Sequence, residues 1–78
     1  INNLNYFPGR INSYKVIRIH NGKEEEAINN YGELFQSTTQ KVLGALKKND
    51  LLIFDNINMS LIDGSTRTSP PIVYKIID

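Results

Sequence analysis

The sequence predicts an α+β fold, a small antiparallel sheet of three to four strands with one helix packed on one face, and three observations carry that expectation. A run of β-branched and aromatic residues, Tyr14, Val16, Ile17 and Ile19, ends at an Asn-Gly pair. Thr39, Val42, Leu43 and Leu46 recur at the spacing of one helical face. Beyond them the apolar run Leu51–Phe54 passes into alternation, turns at Asp63-Gly64 and is followed by a last apolar strand. A sheet with a helix laid on one side is the economical way to bury these stripes together.

Residues 1–10, INNLNYFPGR, read as an entry loop, because three asparagines accompany a Pro-Gly pair and Pro8 steers Phe7 away from helix. The first strand spans about 11–20 and stops at Asn21-Gly22, a pair that tolerates positive φ in a two-residue hairpin turn. Glu24, Glu25 and Glu26 cannot form a buried face, so they read as a solvated edge or loop, with a metal or acidic docking site as the alternative. A short strand at 26–28 is cut off by Asn29-Asn30 and Gly32.

The helix is expected over 37–48. Ser37 and Gln40 have the Ser-x-x-Gln spacing of a capping box, Lys47 and Lys48 complement the negative end of the helix dipole, and Asn49 suits a left-handed terminus. Gly44 costs about 1 kcal/mol against alanine inside a helix and marks a close backbone approach. The next strand covers 51–60, with Ile57, Met59 and Leu61 facing opposite to Asn56, Asn58 and Ser60. Its apolar phase breaks at Asp55, which points to a β-bulge. STRTSPP lengthens the following connection, and the final strand covers 72–77, with Pro70 and Pro71 confined to its start or to an edge.

Seventy-eight residues make a single domain that buries only about 60–65% of its unfolded surface. A start at Ile1 without an initiator Met makes a fragment of a longer chain the expectation. Nine Lys and Arg against eight Asp and Glu leave a net charge of +1 with no clustered basic face, so nucleic acid is not an expected partner. The absence of cysteine removes disulfides, thiolate metal sites and thiol nucleophiles. No apolar run approaches the roughly 18–20 residues of a membrane-crossing helix, so no membrane contact is expected of this segment.

A search for chemistry returns little. His20 is the single histidine and sits at a strand end; Asp55 and Asp63 are separated by a strand and a turn, and Asp63 suits turn chemistry. No serine stands in a nucleophile elbow, no loop spaces its oxygens as an EF-hand does, and the glycines follow no phosphate-binding pattern. No catalytic, cofactor-binding or metal-binding residue is therefore expected. Tyr6, Phe7 and Tyr31 lie in expected loops, where a recognition role competes with local packing.

Taken together, QKVLGALKKNDLLIFDNINMSLIDGSTRTSPPIVYKI resembles the C-terminal domain of the gliding-motility and type IX secretion protein GldM, also called PorM. The shared features are a helix ending in lysines, a Lys-Lys-x-Asp step into a strand, Asp55-Asn56-Ile57, Asp63-Gly64-x-x-Arg67 and a closing Ile-x-Tyr-x-Ile strand at Ile72–Ile76. The likeness covers about half the chain; residues 1–36 match poorly. It implies a periplasmic or cell-envelope interaction domain without enzyme activity, whose partner is another envelope protein and whose parent is a dimer.

The leading expectation is thus a non-enzymatic interaction module, with contact through a strand edge or through the turn that carries Asp63, Gly64 and Arg67, and through Tyr6 and Phe7. One rival is a ligand-binding or hydrolase-like domain using His20, Asp55 and Glu24–Glu26, which requires those side chains to converge. Another is a structural spacer with covered sheet edges.

Overall fold

The structure, a computed structural model, describes residues 9–77. In chain order it contains β1 (Gly9–His20), β2 (Lys23–Tyr31), α1 (Ser37–Gly44), β3 (Leu51–Leu61), β4 (Thr66–Ser69) and β5 (Ile72–Lys75). All pairings are antiparallel, and the sheet runs β2-β1-β3-β4, with β5 also on β3. The α+β expectation holds in a sheet-dominated form.

Asn21 and Gly22 adopt φ of 52° and 79° and close the β1–β2 hairpin, so that His20 faces Lys23. β2 is longer than the three residues expected, because Asn30 does not end the strand but is wholly buried within it. Its Oδ1 accepts hydrogen bonds from the Gln36 amide (2.8 Å) and from Thr39 Oγ1, and its Nδ2 donates to the carbonyls of Gly32 (3.3 Å) and Leu34 (3.0 Å). A buried amide tolerates the interior only when its donors and acceptor are met, and here they are.

That asparagine displaces the capping box. Gln36, not Ser37, is the N-cap and makes no side-chain capping bond, while Gln40 Nε2 donates to the Phe35 carbonyl. The helix also ends four residues earlier than expected. Ala45 donates to both Lys41 and Val42 carbonyls and Leu46 to Leu43, a tightening last turn that follows the poor helix former Gly44. Lys47 and Lys48 therefore lie beyond the helix, and no backbone stands within 4 Å of where a Gly44 Cβ would sit, so the expected close approach is absent. Asn49 does take the left-handed conformation (φ 75°).

The expected bulge is realised one residue after Asp55. Asn56 has φ 49°, and the β1–β3 register slips between Lys15 opposite Asp55 and Ser13 opposite Asn58. Along the other side of β3 the register is unbroken: Ile57 faces Ser69 in β4 and Phe54 faces Ile72 in β5. Pro70 and Pro71 therefore fall opposite Asn56 and Asp55, and β4 with β5 amounts to one edge strand interrupted where its two residues lack N–H groups. β4 lies within the segment expected to be a plain connection, and the last strand is shorter than 72–77, although Ile76 adds one further bond to the Asp50 carbonyl.

The helix covers one sheet face, over β1 and β2. Tyr14, Val16, Val42, Leu52 and Ile57 form the core, edged by Ile11, Ile28, Leu43, Leu46, Phe54 and Met59. Val16 is fully buried at the centre. A single helix about 10 Å wide spans roughly two strands at about 4.8 Å spacing, so the β3–β5 half of this face lies beyond its cover. There Phe54 packs edge-on against Tyr14 (5.6 Å) and Tyr74 (6.1 Å) and is stacked parallel with Phe35 (6.4 Å). The opposite face carries Ile17 paired with Ile53, and Ile19 with Leu51.

Asn30→Ala leaves the Gln36 amide, Thr39 hydroxyl and two carbonyls without their partner. It is expected to lower unfolding free energy in urea by about 3 kcal/mol, whereas Asn29→Ala, exposed on the other face, changes it by less than about 0.5 kcal/mol. Equal effects of the two would contradict the capping role.

Candidate functional site

Two places on the molecule gather functional types of side chain. The first is a polar cluster at the C-terminal end of the helix, built around Asp50. This carboxylate is 1% exposed and accepts from the Lys47 amide (2.8 Å), Arg18 Nη1 (3.0 Å) and His20 Nδ1 (2.6 Å). Arg18 also donates through Nε to Glu26 across the β1–β2 pair. The hydrogen bond from His20, with the Lys47 amide and Arg18 behind it, lowers the Asp50 pKa to about 2 against the opposing effect of burial. An ionised carboxylate can only accept, so His20 carries its hydrogen on Nδ1. Glu26 and then Asp50 raise the Arg18 pKa further, keeping that guanidinium charged.

The cluster contains only part of the set on which a hydrolase-like reading depends. His20 and Glu26 belong to it, but Asp55 lies across from Lys15 and Glu24 across from Ile19, both on the sheet face away from the helix. The structure thus does not bring His20, Asp55 and Glu24–Glu26 together. Among the described residues the His20 ring is hydrogen-bonded to Asp50 alone, with no serine or threonine hydroxyl on it, and no group of three or more His, Asp or Glu gathers as a metal site. Asp50 was not singled out as a functional residue by its sequence context; the Lys-Lys-x-Asp step contains it, but its side-chain partners His20 and Arg18 lie 30 and 32 positions away in the chain. An open depression of about 580 Å³ lies elsewhere, lined by Gly9, Arg10, Glu33, Ser60, Leu61 and Ile62.

The second place is the β4–β5 edge. Ile72, Val73 and Tyr74 are 43%, 55% and 53% exposed, and Ile77 beyond them 73%. Ile72 and Tyr74 share the helix face with Phe54 and Leu52, and Val73 shares the opposite face with Ile53. Phe35, also exposed, borders the same aromatic shelf. By contrast the other edge of the sheet, β2, carries exposed Lys23, Glu24 and Glu25, the charges that discourage edge pairing.

Of the residues expected to meet a partner, Asp63 and Gly64 form the β3–β4 turn. Asp63 Oδ1 accepts from the Ser65 hydroxyl (2.6 Å) and amide (2.9 Å), bonds that lower its pKa, and Gly64 has φ 89°. Arg67 is exposed on β4, opposite Met59. Tyr6 and Phe7 lie outside the described residues, and Tyr31, expected in a loop, ends β2 at 64% exposure. No helix among the described residues is long and apolar enough to cross a membrane. Comparison with family models, with curated proteins and with solved structures finds no match to this chain.

With a folded pKa below the unfolded 3.8, the Asp50 carboxylate contributes its full stabilisation above pH 3.8 and loses it as pH falls toward about 2. Asp50→Asn is expected to lower the urea midpoint at neutral pH and to flatten its decline through that acid window. Unchanged midpoints and slope across the titration would refute the assignment.

Proposed function

We propose that this chain is a non-enzymatic protein–protein interaction domain of a cell-envelope protein, of the gliding and type IX secretion kind, and that it meets its partner along the β4–β5 edge. The observation that carries the reading is the asymmetry of the two sheet edges: β2 is guarded by charge, whereas β5 presents Ile72, Val73 and Tyr74 to solvent. An exposed apolar edge with unpaired backbone groups is a template for another chain, and proteins that keep one open commonly use it. The aromatic shelf of Phe35, Phe54 and Tyr74 extends the apolar surface beside that edge, and Arg67 lies farther along it. A spacer domain would instead cover its edges.

The Asp50 cluster is read as a structural fastening, because each donor it engages ties one stretch of backbone to another. The envelope setting, and with it the choice of an envelope protein as partner, rests on the resemblance of the helix-strand-turn-strand unit to the GldM C-terminal domain.

A photo-crosslinking p-benzoylphenylalanine in place of Tyr74, in the parent protein within cells, is expected to form a discrete adduct with one envelope protein, identifiable by mass spectrometry. The same group in place of Glu25 should form none. Adducts of equal yield and identity at both positions, or none at Tyr74, would contradict the proposal.

A further inference from the structure

The charge around the open edge narrows the kind of partner it can take. Resting on the interaction reading above, we infer that the β5 edge binds an extended, acidic segment of another protein by strand addition. Ile76 turns its N–H inward to the Asp50 carbonyl (2.9 Å) and its own carbonyl accepts from the Asn49 amide (2.6 Å). Backbone groups alternate in an antiparallel ladder, so Ile72 and Tyr74 likewise face β3, while Val73 and Lys75 direct their N–H and C=O groups outward. Those outward groups are the register on which an added strand would bond.

Cations flank that register. Lys75 lies on β5 itself, Lys47 and Lys48 are exposed beside its C-terminal end, where Asn49 bonds Ile76, and Arg67 is exposed on β4 at the other end. The Arg67 charge acts on Asp63, whose carboxylate is already engaged by Ser65. The carboxylates Glu24, Glu25 and Glu26 stand on the far edge, with β1 and β3 between. A chain of net charge +1 is therefore polarised across its sheet, with its basic margin along the unguarded edge. An added strand would set alternate side chains over Ile72 and Tyr74 on one face and over Val73 on the other, so apolar residues suit its centre and carboxylates its ends.

The test uses a nine-residue synthetic peptide with an alternating valine and threonine centre and two glutamates at each end, beside a counterpart with lysines in their place. Binding to the domain is followed by amide-resolved NMR. The glutamate peptide is expected to bind roughly tenfold tighter than the lysine peptide at low salt, the scale that two or three exposed ion pairs supply, and to lose that margin as salt rises. Its binding should protect the Val73 and Lys75 amides from exchange. Lys75→Glu should narrow or reverse the preference. Val73→Pro should abolish binding while leaving the fold intact, because it removes an outward N–H that no ladder bond uses. Equal binding of both peptides would overturn the acidic preference, and protection elsewhere than Val73 and Lys75 would overturn strand addition. Concentration-dependent self-association lost in Val73→Pro would make a second copy the occupant and overturn the inference. None of these outcomes removes a crosslinked partner at Tyr74, so the inference can fail while the interaction reading stands.

Discussion

β2 and β3 stand on opposite sides of β1, so the chain must cross β1 to pass from one to the other, and the rest of the structure depends on how that crossing is fastened. Its helix is only eight residues long, too short to be stable in water by its own hydrogen bonds. Two buried polar side chains hold its ends. Asn30 takes the Gln36 amide and Thr39 hydroxyl at the start, and Asp50 takes the Lys47 amide at the finish while it binds Arg18 and His20 on β1. Between these anchors Val42 can reach Val16 and the other core residues.

Burying a carboxylate and an amide in so small a domain would be costly if any donor or acceptor were left over. Among the described residues, no buried side-chain nitrogen or oxygen lacks a partner. The geometry also spends these groups on structure. Every strong polar contact of Asp50 joins one backbone segment to another, and the apolar surface left uncovered by the helix gathers around Phe54 and Tyr74.

Features set by neighbours in sequence were legible from it. The Asn21-Gly22 hairpin, the left-handed Asn49, the Asp63-Gly64 turn and the buried stripe of Thr39 and Val42 depend on local conformation and periodicity, and all occur. Features decided by distant partners were not. Ser37 is a good cap in isolation, but Asn30 reaches the helix start first; the lysines prolong the helical pattern, but Asp50 draws the Lys47 amide away from it. Thr66–Ser69 is polar enough to pass for a loop and becomes a strand only because β3 offers it an edge. The open edge itself was legible as a candidate surface; which edge stays unguarded emerged only from the strand order.

The Pro70-Pro71 pair sets a limit on that edge. The segment Ile72–Ile77 has the length and β-propensity of a sequence that stacks into fibrils, and it is held at the margin of the sheet. Two consecutive residues without N–H groups stop any incoming ladder from running past β5 into β4. The margin can therefore seat a short strand along β5, but not one unbroken ladder along both β5 and β4.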